Sequence, residues 1–164
     1  LLEMSELRSV PCEDDIELGP LSEEVLTDLA PLAEHKDIVL NCSGGALIVG
    51  SDTLLYRLVF NLVENAIRYS RPGSTVNVSI CDNNSHVFLR VEDQGPGIPE
   101  QYRESIFQPF FRLDKSRSRA YGGAGLGLAL VWEIAALHGG TVEVEASSKN
   151  GTTMLATLPK RTAA

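Results

Sequence analysis

The segment DTLLYRLVFNLVENAIRYS, residues 52 to 70, constrains the fold of this chain more than any other. Leu54, Leu55, Leu58, Val59, Leu62 and Ala66 recur at the spacing of one buried helical face. Arg71-Pro72-Gly73 ends the pattern, since proline cannot continue a helix and glycine favours its exit. A helix with so broad an apolar stripe must lie on a partner layer. The chain offers one at once: TVNVSI and HVFLRVED alternate apolar and polar residues around an Asp-Asn-Asn turn, as two paired strands do.

The remainder repeats this alternation. Ser22 as N-cap, with acidic residues in the following turn, predicts a helix over 22–35 that Pro31 kinks. DIVLN (37–41) and ALIVG (46–50) flank Ser-Gly-Gly and read as a hairpin. Pro99-Glu100 opens a short helix over 99–107, and another helix over about 125–138 is stopped by His138-Gly139-Gly140. TVEVEAS and TTMLATLP close the chain as strands around Lys149-Asn150-Gly151. Leu1, Leu2, Met4 and Leu7 give the first ten residues a helical stripe, followed by the acidic connector PCEDDIELGP. The expected class is α/β, a two-layer sandwich with helices on one face of the sheet.

Composition narrows the function. The 164 residues, 43% hydrophobic and 22% charged, suit one ordinary domain with a real core. No run of 18 apolar residues is present, and the first residues lack the apolar stretch of a signal peptide. A net charge of −8 argues against a general nucleic-acid binder. Cys12, Cys42 and Cys81 are widely spaced and form no C-x-x-C pair, so buried reduced thiols are expected rather than a disulfide framework or a zinc site. His35, His86 and His138 lie far apart and suggest no metal site.

Three constellations carry chemistry. Asn61, Asn65 and Arg68 share one face of the 52–70 helix, with Asn65 inside the border of the apolar stripe. Carboxamides there need partners: either a neighbouring loop, or a divalent cation with phosphate one turn further on. Next, Asp93-Gln94-Gly95-Pro96-Gly97-Ile98-Pro99 follows a strand. Its glycines and prolines build a sharp turn that admits a flat ligand, and the carboxylate, an acceptor only, suits the exocyclic amine of adenine and repels the carbonyl of guanine. The competing reading is an Asx turn that merely starts a loop. Last, FQPFFRLDKSRSRAYGGAGLGL (107–128) sets Arg112, Lys115, Arg117 and Arg119 before a run of glycines. Leu128-Ala129 stand where a P-loop needs Lys and Ser or Thr, and Gly123-x-Gly125-x-Gly127 has the wrong spacing for a dinucleotide fold. What remains is a basic loop feeding a helix whose free N–H groups face anions.

In this order the three resemble the ATP-binding catalytic domain of sensor histidine kinases, within the GHKL superfamily. NLVENAIRYS looks like the N box, DQGPGIP the G1 box, IFQPFFR the F box and GGAGLGLAL the G2 box. The resemblance implies a mixed, mostly antiparallel sheet of about five strands, three main helices on one face and a mobile ATP lid over 113–124, poorly ordered without nucleotide. It implies that Asn65 binds Mg²⁺ with help from Asn61, and that Arg68 and Tyr69 approach the phosphates and ribose. Asp93 would read adenine, with Gly95, Gly97 and Ile98 lining the pocket. Arg112 would touch the terminal phosphates, and Gly123, Ala124, Gly125, Leu126 and Gly127 would cradle the triphosphate. Ala124 departs from the Thr or Ser common at its position.

The resemblance also bears on the reaction. Hydrolytic relatives carry a Glu one turn before the metal-binding Asn, where this chain has Asn61, which cannot act as a base; phosphoryl transfer is favoured over hydrolysis. A GHKL hydrolase and a degenerate binding module are the alternatives. None of the three histidines has the flanking residues of a phosphoacceptor. The implied organisation is residues 1–20 as the end of a dimerisation and phosphoacceptor hairpin plus linker, 21–159 as the catalytic domain and 160–164 as a tail. The implied partners are that hairpin, in a homodimer of the full-length protein, and a response regulator; no nucleic acid or direct membrane contact is expected. The implied location is cytoplasmic, in an inner-membrane sensor.

Overall fold

The computed structural model describes residues 9–109, 111 and 127–161. In chain order the elements are β1 (Asp14–Glu17), α1 (Leu18–His35), β2 (Val39–Gly44), β3 (Leu47–Gly50), α2 (Asp52–Tyr69), β4 (Thr75–Asp82) and β5 (His86–Asp93). Two short 3₁₀ turns, Glu100–Tyr102 and Ser105–Phe107, precede α3 (Gly127–Leu137), β6 (Thr141–Ser148) and β7 (Gly151–Pro159). Five strands form the main sheet in the order β2-β4-β5-β7-β6, parallel only between β2 and β4. β1 and β3 form a separate antiparallel ribbon.

The alternation read in the sequence builds the interface between layers. Val76, Val78 and Ile80 of β4 and Val87, Leu89 and Val91 of β5 are buried, while Ser79 and Cys81 between them are exposed. They meet the stripe of α2, where Leu54, Leu55, Leu58, Val59 and Leu62 are almost fully enclosed. Ser51 caps α2, its hydroxyl accepting the Leu54 N–H at 3.2 Å. At the other end Lys36 Nζ donates to the Ile67 and Arg68 carbonyls at 3.0 and 2.5 Å, groups a helix end leaves unpaired. Among the described residues no helix is long and apolar enough to cross a membrane.

Several expectations are corrected. The segments 37–41 and 46–50 do not form a hairpin: β2 pairs with β4 and β3 with β1, so Gly44-Gly45 carries the chain from one sheet to the other. Gly44 has φ +82, and a Cβ there would sit 1.9 Å from the Ile80 carbonyl oxygen, so this crossing requires glycine. The acidic connector contains β1, whose Ile16 is buried between exposed acids. α1 starts at Leu18, four residues before Ser22, because Leu18, Leu21, Val25, Leu26 and Leu29 already form one buried face. Pro20 falls in its first turn, where a missing N–H costs little. Ser22 is therefore no cap but a buried residue, its hydroxyl without a hydrogen-bond partner; the helix runs on through Pro31. The segment 99–107 makes two 3₁₀ turns, not one helix. The thiols are free as expected, but Cys81 is exposed and Cys12 and Cys42 only half-buried.

His138, part of a helix stop in the sequence, ties two helices together. It is 1% exposed, its Nε2 accepts the Ser51 N–H at 3.1 Å, and its Nδ1 lies 2.8 Å from the Ile134 carbonyl oxygen. A carbonyl accepts only, so Nδ1 carries the proton and the ring is neutral. Desolvation lowers its pKa, opposed in part by the Ile134 carbonyl. A base with a depressed native pKa gives stability that is complete above its unfolded value, near 6.5, and is lost as pH falls below it. Urea unfolding at pH 7.5 and 5.5 should therefore show the parent losing stability on acidification, by no more than about 1.4 kcal/mol per pH unit from this group. His138→Asn should be weaker at pH 7.5 yet lose less on acidification. Equal pH dependence in the two proteins would dissociate His138 from the effect.

Candidate nucleotide site

The polar row of α2 runs toward the loop after β5. Asn61 is 8% exposed and its Nδ2 is sealed from solvent with no hydrogen-bond partner. Asn65 is half-buried. This reverses the depth read from the sequence: each i,i+4 step advances the face by about 40°, which brings Asn65 off the buried side that holds Asn61. Arg68 is half-buried and its Nη2 lies 3.5 Å from Glu64 Oε1, a solvent-facing i,i+4 pair worth little to stability. Tyr69, at the helix end, is 40% exposed.

Asp93 is the last residue of β5 and is 7% exposed. Its Oδ1 accepts two backbone N–H groups, from Gly95 at 2.9 Å and Thr152 at 3.1 Å. The Asx turn is thus formed: Oδ1 fixes the loop, while Oδ2 accepts no hydrogen bond from the described residues. Desolvation raises the Asp93 pKa; the two N–H bonds lower it and Glu92 raises it further. A buried carboxylate so perturbed makes Asp93 a candidate functional residue.

The glycines of this loop have a structural reason of their own. A Cβ on Gly95 would lie 2.4 Å from the Tyr69 carbonyl oxygen, and one on Gly97, at φ +87, would lie 2.1 Å from that of Ser148. The protein's own backbone fills both places, pressing the loop against the end of α2 on one side and β6 on the other. Gln94 completes the first seam: its N–H donates to Ser70 Oγ at 3.1 Å and its Oε1 accepts the Thr75 N–H at 2.7 Å. Arg71 spans the junction, donating to the Gln94 carbonyl from its backbone N–H (3.4 Å) and to the Lys149 carbonyl from Nη2 (2.6 Å).

The third constellation is described only at its ends. Phe107 is buried and meets Trp132 of α3 in a tilted ring pair at 5.5 Å, and half-buried Phe111 meets Tyr102 at 5.8 Å. The anchoring of this segment by aromatic residues is thus visible at Phe107 and Phe111. Phe110, Arg112, the lid over 113–124, and Gly123, Ala124, Gly125 and Leu126 lie outside the described residues. Gly127 opens α3, and a Cβ there would meet no described atom within 4 Å. Among the described residues nothing requires glycine at that helix start.

Sequence reasoning missed Ser70, Ser147 and Thr152. The signal for Thr152 is its register: β5 and β7 pair so that Asp93 faces Thr152, a partnership across 59 residues. Among the described residues no group of three His, Cys, Asp or Glu side chains could hold a metal ion. The donors that fit a metal nucleotide are instead the carboxamides of α2. The row thus sets a buried amide with an unpartnered Nδ2, a half-buried second amide and a guanidinium near the loop that carries the buried Asp93 carboxylate.

Comparisons with known proteins follow the same lines. Residues 50–162 match the family described as histidine kinase-, DNA gyrase B-, and HSP90-like ATPase. The chain is 37% identical over 164 residues to the sensor-like histidine kinase SenX3 of Mycobacterium tuberculosis, covering 97% of this chain but 40% of SenX3. It is 49% identical over 98 residues to the sensor protein RstB of Escherichia coli, covering 60% of this chain and 22% of RstB. Among solved structures it resembles the mycobacterial sensor histidine kinase MprB, with a TM-score of 0.79, 30% identity, and coverage of 92% of this chain and 99% of that one. The catalytic domain of histidine kinase ThkA gives a TM-score of 0.76 at 26% identity, with coverage of 92% and 99%.

Proposed function

The chain belongs to the histidine kinase-, DNA gyrase B-, and HSP90-like ATPase family, as a catalytic ATP-binding domain of the sensor histidine kinase type, and from that premise we propose that it binds Mg-ATP and phosphorylates a histidine on another segment. The observation that carries the reading is Asp93: a buried carboxylate with one oxygen held by two backbone N–H groups at a strand end. Its remaining acceptor capacity suits the adenine amine. Asn65, with Asn61, would hold Mg²⁺, which supplies charge neutralisation on the triphosphate when bound. Arg68 has only a weak tie to Glu64 and is free to turn to a phosphate, and Arg112 would touch the terminal phosphates.

The chain spans 40% of the length of SenX3, and the whole-protein properties are proposals. Residues 1–20 would be the end of a dimerisation hairpin and its linker, and 21–159 the catalytic domain. The hairpin's histidine would receive the γ-phosphoryl group and pass it to an aspartate of a response regulator. The setting would be the cytoplasmic side of a membrane-anchored sensor. Phosphoryl transfer of this kind rests on positioning and charge neutralisation, which the α2 row and the Asp93 loop supply.

Incubation with Mg-ATP labelled at the γ position tests this. The chain should bind nucleotide and acquire no acid-labile, base-stable phosphate alone, because His138 is sealed in the core and neither His35 nor His86 has acceptor flanks. Added helical hairpin carrying the phosphoacceptor histidine should become labelled. Acid-labile phosphate on the chain itself would sink the assignment; steady phosphate release without hairpin would favour a hydrolase.

A further inference from the structure

We infer that Ser147 is a positioning residue that sets base selectivity from the far side of the Asp93 loop; this rests on the reading of Asp93 as the adenine-binding carboxylate. The loop leaves β5 at Asp93 and is fastened to β6 at Ile98. The fastening is the Ser147 hydroxyl, which accepts the Ile98 N–H at 2.8 Å and lies 2.8 Å from Thr152 Oγ1. Thr152 in turn gives its backbone N–H to Asp93 Oδ1 at 3.1 Å. One side chain therefore joins both ends of the loop: Ile98 directly, and Asp93 through Thr152. Arg103 supports the same point, with Nη2 3.2 Å from the Ser147 carbonyl oxygen and Nε 3.4 Å from that of Ile98.

Ser147 is brought there by an irregularity in the sheet. The register of β6 against β7 shifts between Val144 and Ala146, after which Ser147 pairs with Thr152. Without that shift the alternation of β6 would aim a different residue at the loop. The close approach of Gly97 to the Ser148 carbonyl follows from the same placement.

The consequence concerns selectivity more than fold. Removing the hydroxyl leaves the Ile98 N–H unpaired and frees the loop to shift the carboxylate. Adenine depends on that carboxylate as an acceptor, whereas guanine is repelled by it, so displacement harms ATP more than GTP. Binding of Mg-ATP and Mg-GTP to the full chain, measured by calorimetry for Ser147→Ala, Ser147→Thr and Asp93→Asn, tests the idea.

Ser147→Ala should bind Mg-ATP roughly 3- to 10-fold more weakly, the loss of about one hydrogen bond. The ratio of GTP to ATP dissociation constants should fall in step, and Ser147→Thr, which keeps the hydroxyl, should recover it. A merely structural role would lower the folded fraction and weaken both nucleotides alike, leaving the ratio in place. A ratio within twofold of the parent, or a threonine variant no better than alanine, overturns the inference. If Asp93→Asn itself binds ATP normally, the base-reading assignment fails instead, and Ser147 loses its role with it.

Discussion

Asp93→Asn should abolish measurable Mg-ATP binding while leaving the nucleotide-free domain at least as stable as its parent. The two halves have one cause. Asparagine keeps an oxygen for the Gly95 and Thr152 N–H groups, so the loop retains its tether. The amide nitrogen that replaces the second oxygen presents a donor where the adenine amine also donates. Losing a charged hydrogen bond of about 1.5–3 kcal/mol and burying an unmatched donor at about 1–3 kcal/mol weakens binding by ~10²-fold or more. For stability, the native Asp93 pKa is raised, chiefly by desolvation. A carboxyl with a raised native pKa binds its proton more tightly folded than unfolded. Its stabilising effect is present at acid pH and is lost as pH rises from about 3.9 through the native value, so the ionised group is a cost at pH 7. Thermal melts at pH 7 should show an equal or higher Tm for the variant, with the difference shrinking toward pH 4. A Tm lower by more than about 3 °C, on the order of 1 kcal/mol for a domain of this size, would mean the carboxylate serves the fold.

This division between function and fold also explains what the sequence disclosed. Helix α2, the β4–β5 hairpin and the β6–β7 hairpin were legible because each is decided locally, by a 3.6-residue stripe or by alternation around a turn. The segment 37–50 misled because its turn chemistry is local while its partners are not: β2 finds β4 some 35 residues on, and β3 finds the strand hidden in EDDIE. No short-range pattern distinguishes a hairpin from two strands that part company at Gly44.

The site divides in the same way. Asn61, Asn65, Arg68 and Asp93 were visible because their residue types conflict with their surroundings: carboxamides beside an apolar stripe, a carboxylate ending an apolar strand. Thr152, Ser147 and Ser70 were not, because hydroxyls near turns are ordinary and their partners lie 24 to 59 residues away. The glycines were read as necessary for a ligand's approach, and Gly95 and Gly97 are in any case required by the Tyr69 and Ser148 carbonyls. A motif thus records two demands at once, and only coordinates separate them.

The larger kinetic effect is expected at Asn65. Asn65→Asp changes one atom's chemistry on a half-buried helical position and leaves the apolar stripe of α2 intact. In the proposed site it places a full negative charge beside the triphosphate. Two unit charges about 4 Å apart near a protein surface interact by roughly 4 kcal/mol, and a carboxylate also lacks the amide donor that could serve a phosphate oxygen. Transfer to an added phosphoacceptor hairpin should fall by ~10²-fold or more, since each 1.36 kcal/mol is a factor of ten in rate. Asn61→Ala should cost less, because it removes an orphaned amide without adding charge. The loss should appear in the rate at saturating Mg-ATP more than in adenosine binding, which depends on Asp93. If Asn65→Asp and Asn65→Ala, which has no oxygen left to hold Mg²⁺, both transfer phosphate within threefold of the parent, the metal and triphosphate lie elsewhere than along the polar row of α2, and only the base-reading half of the site would stand.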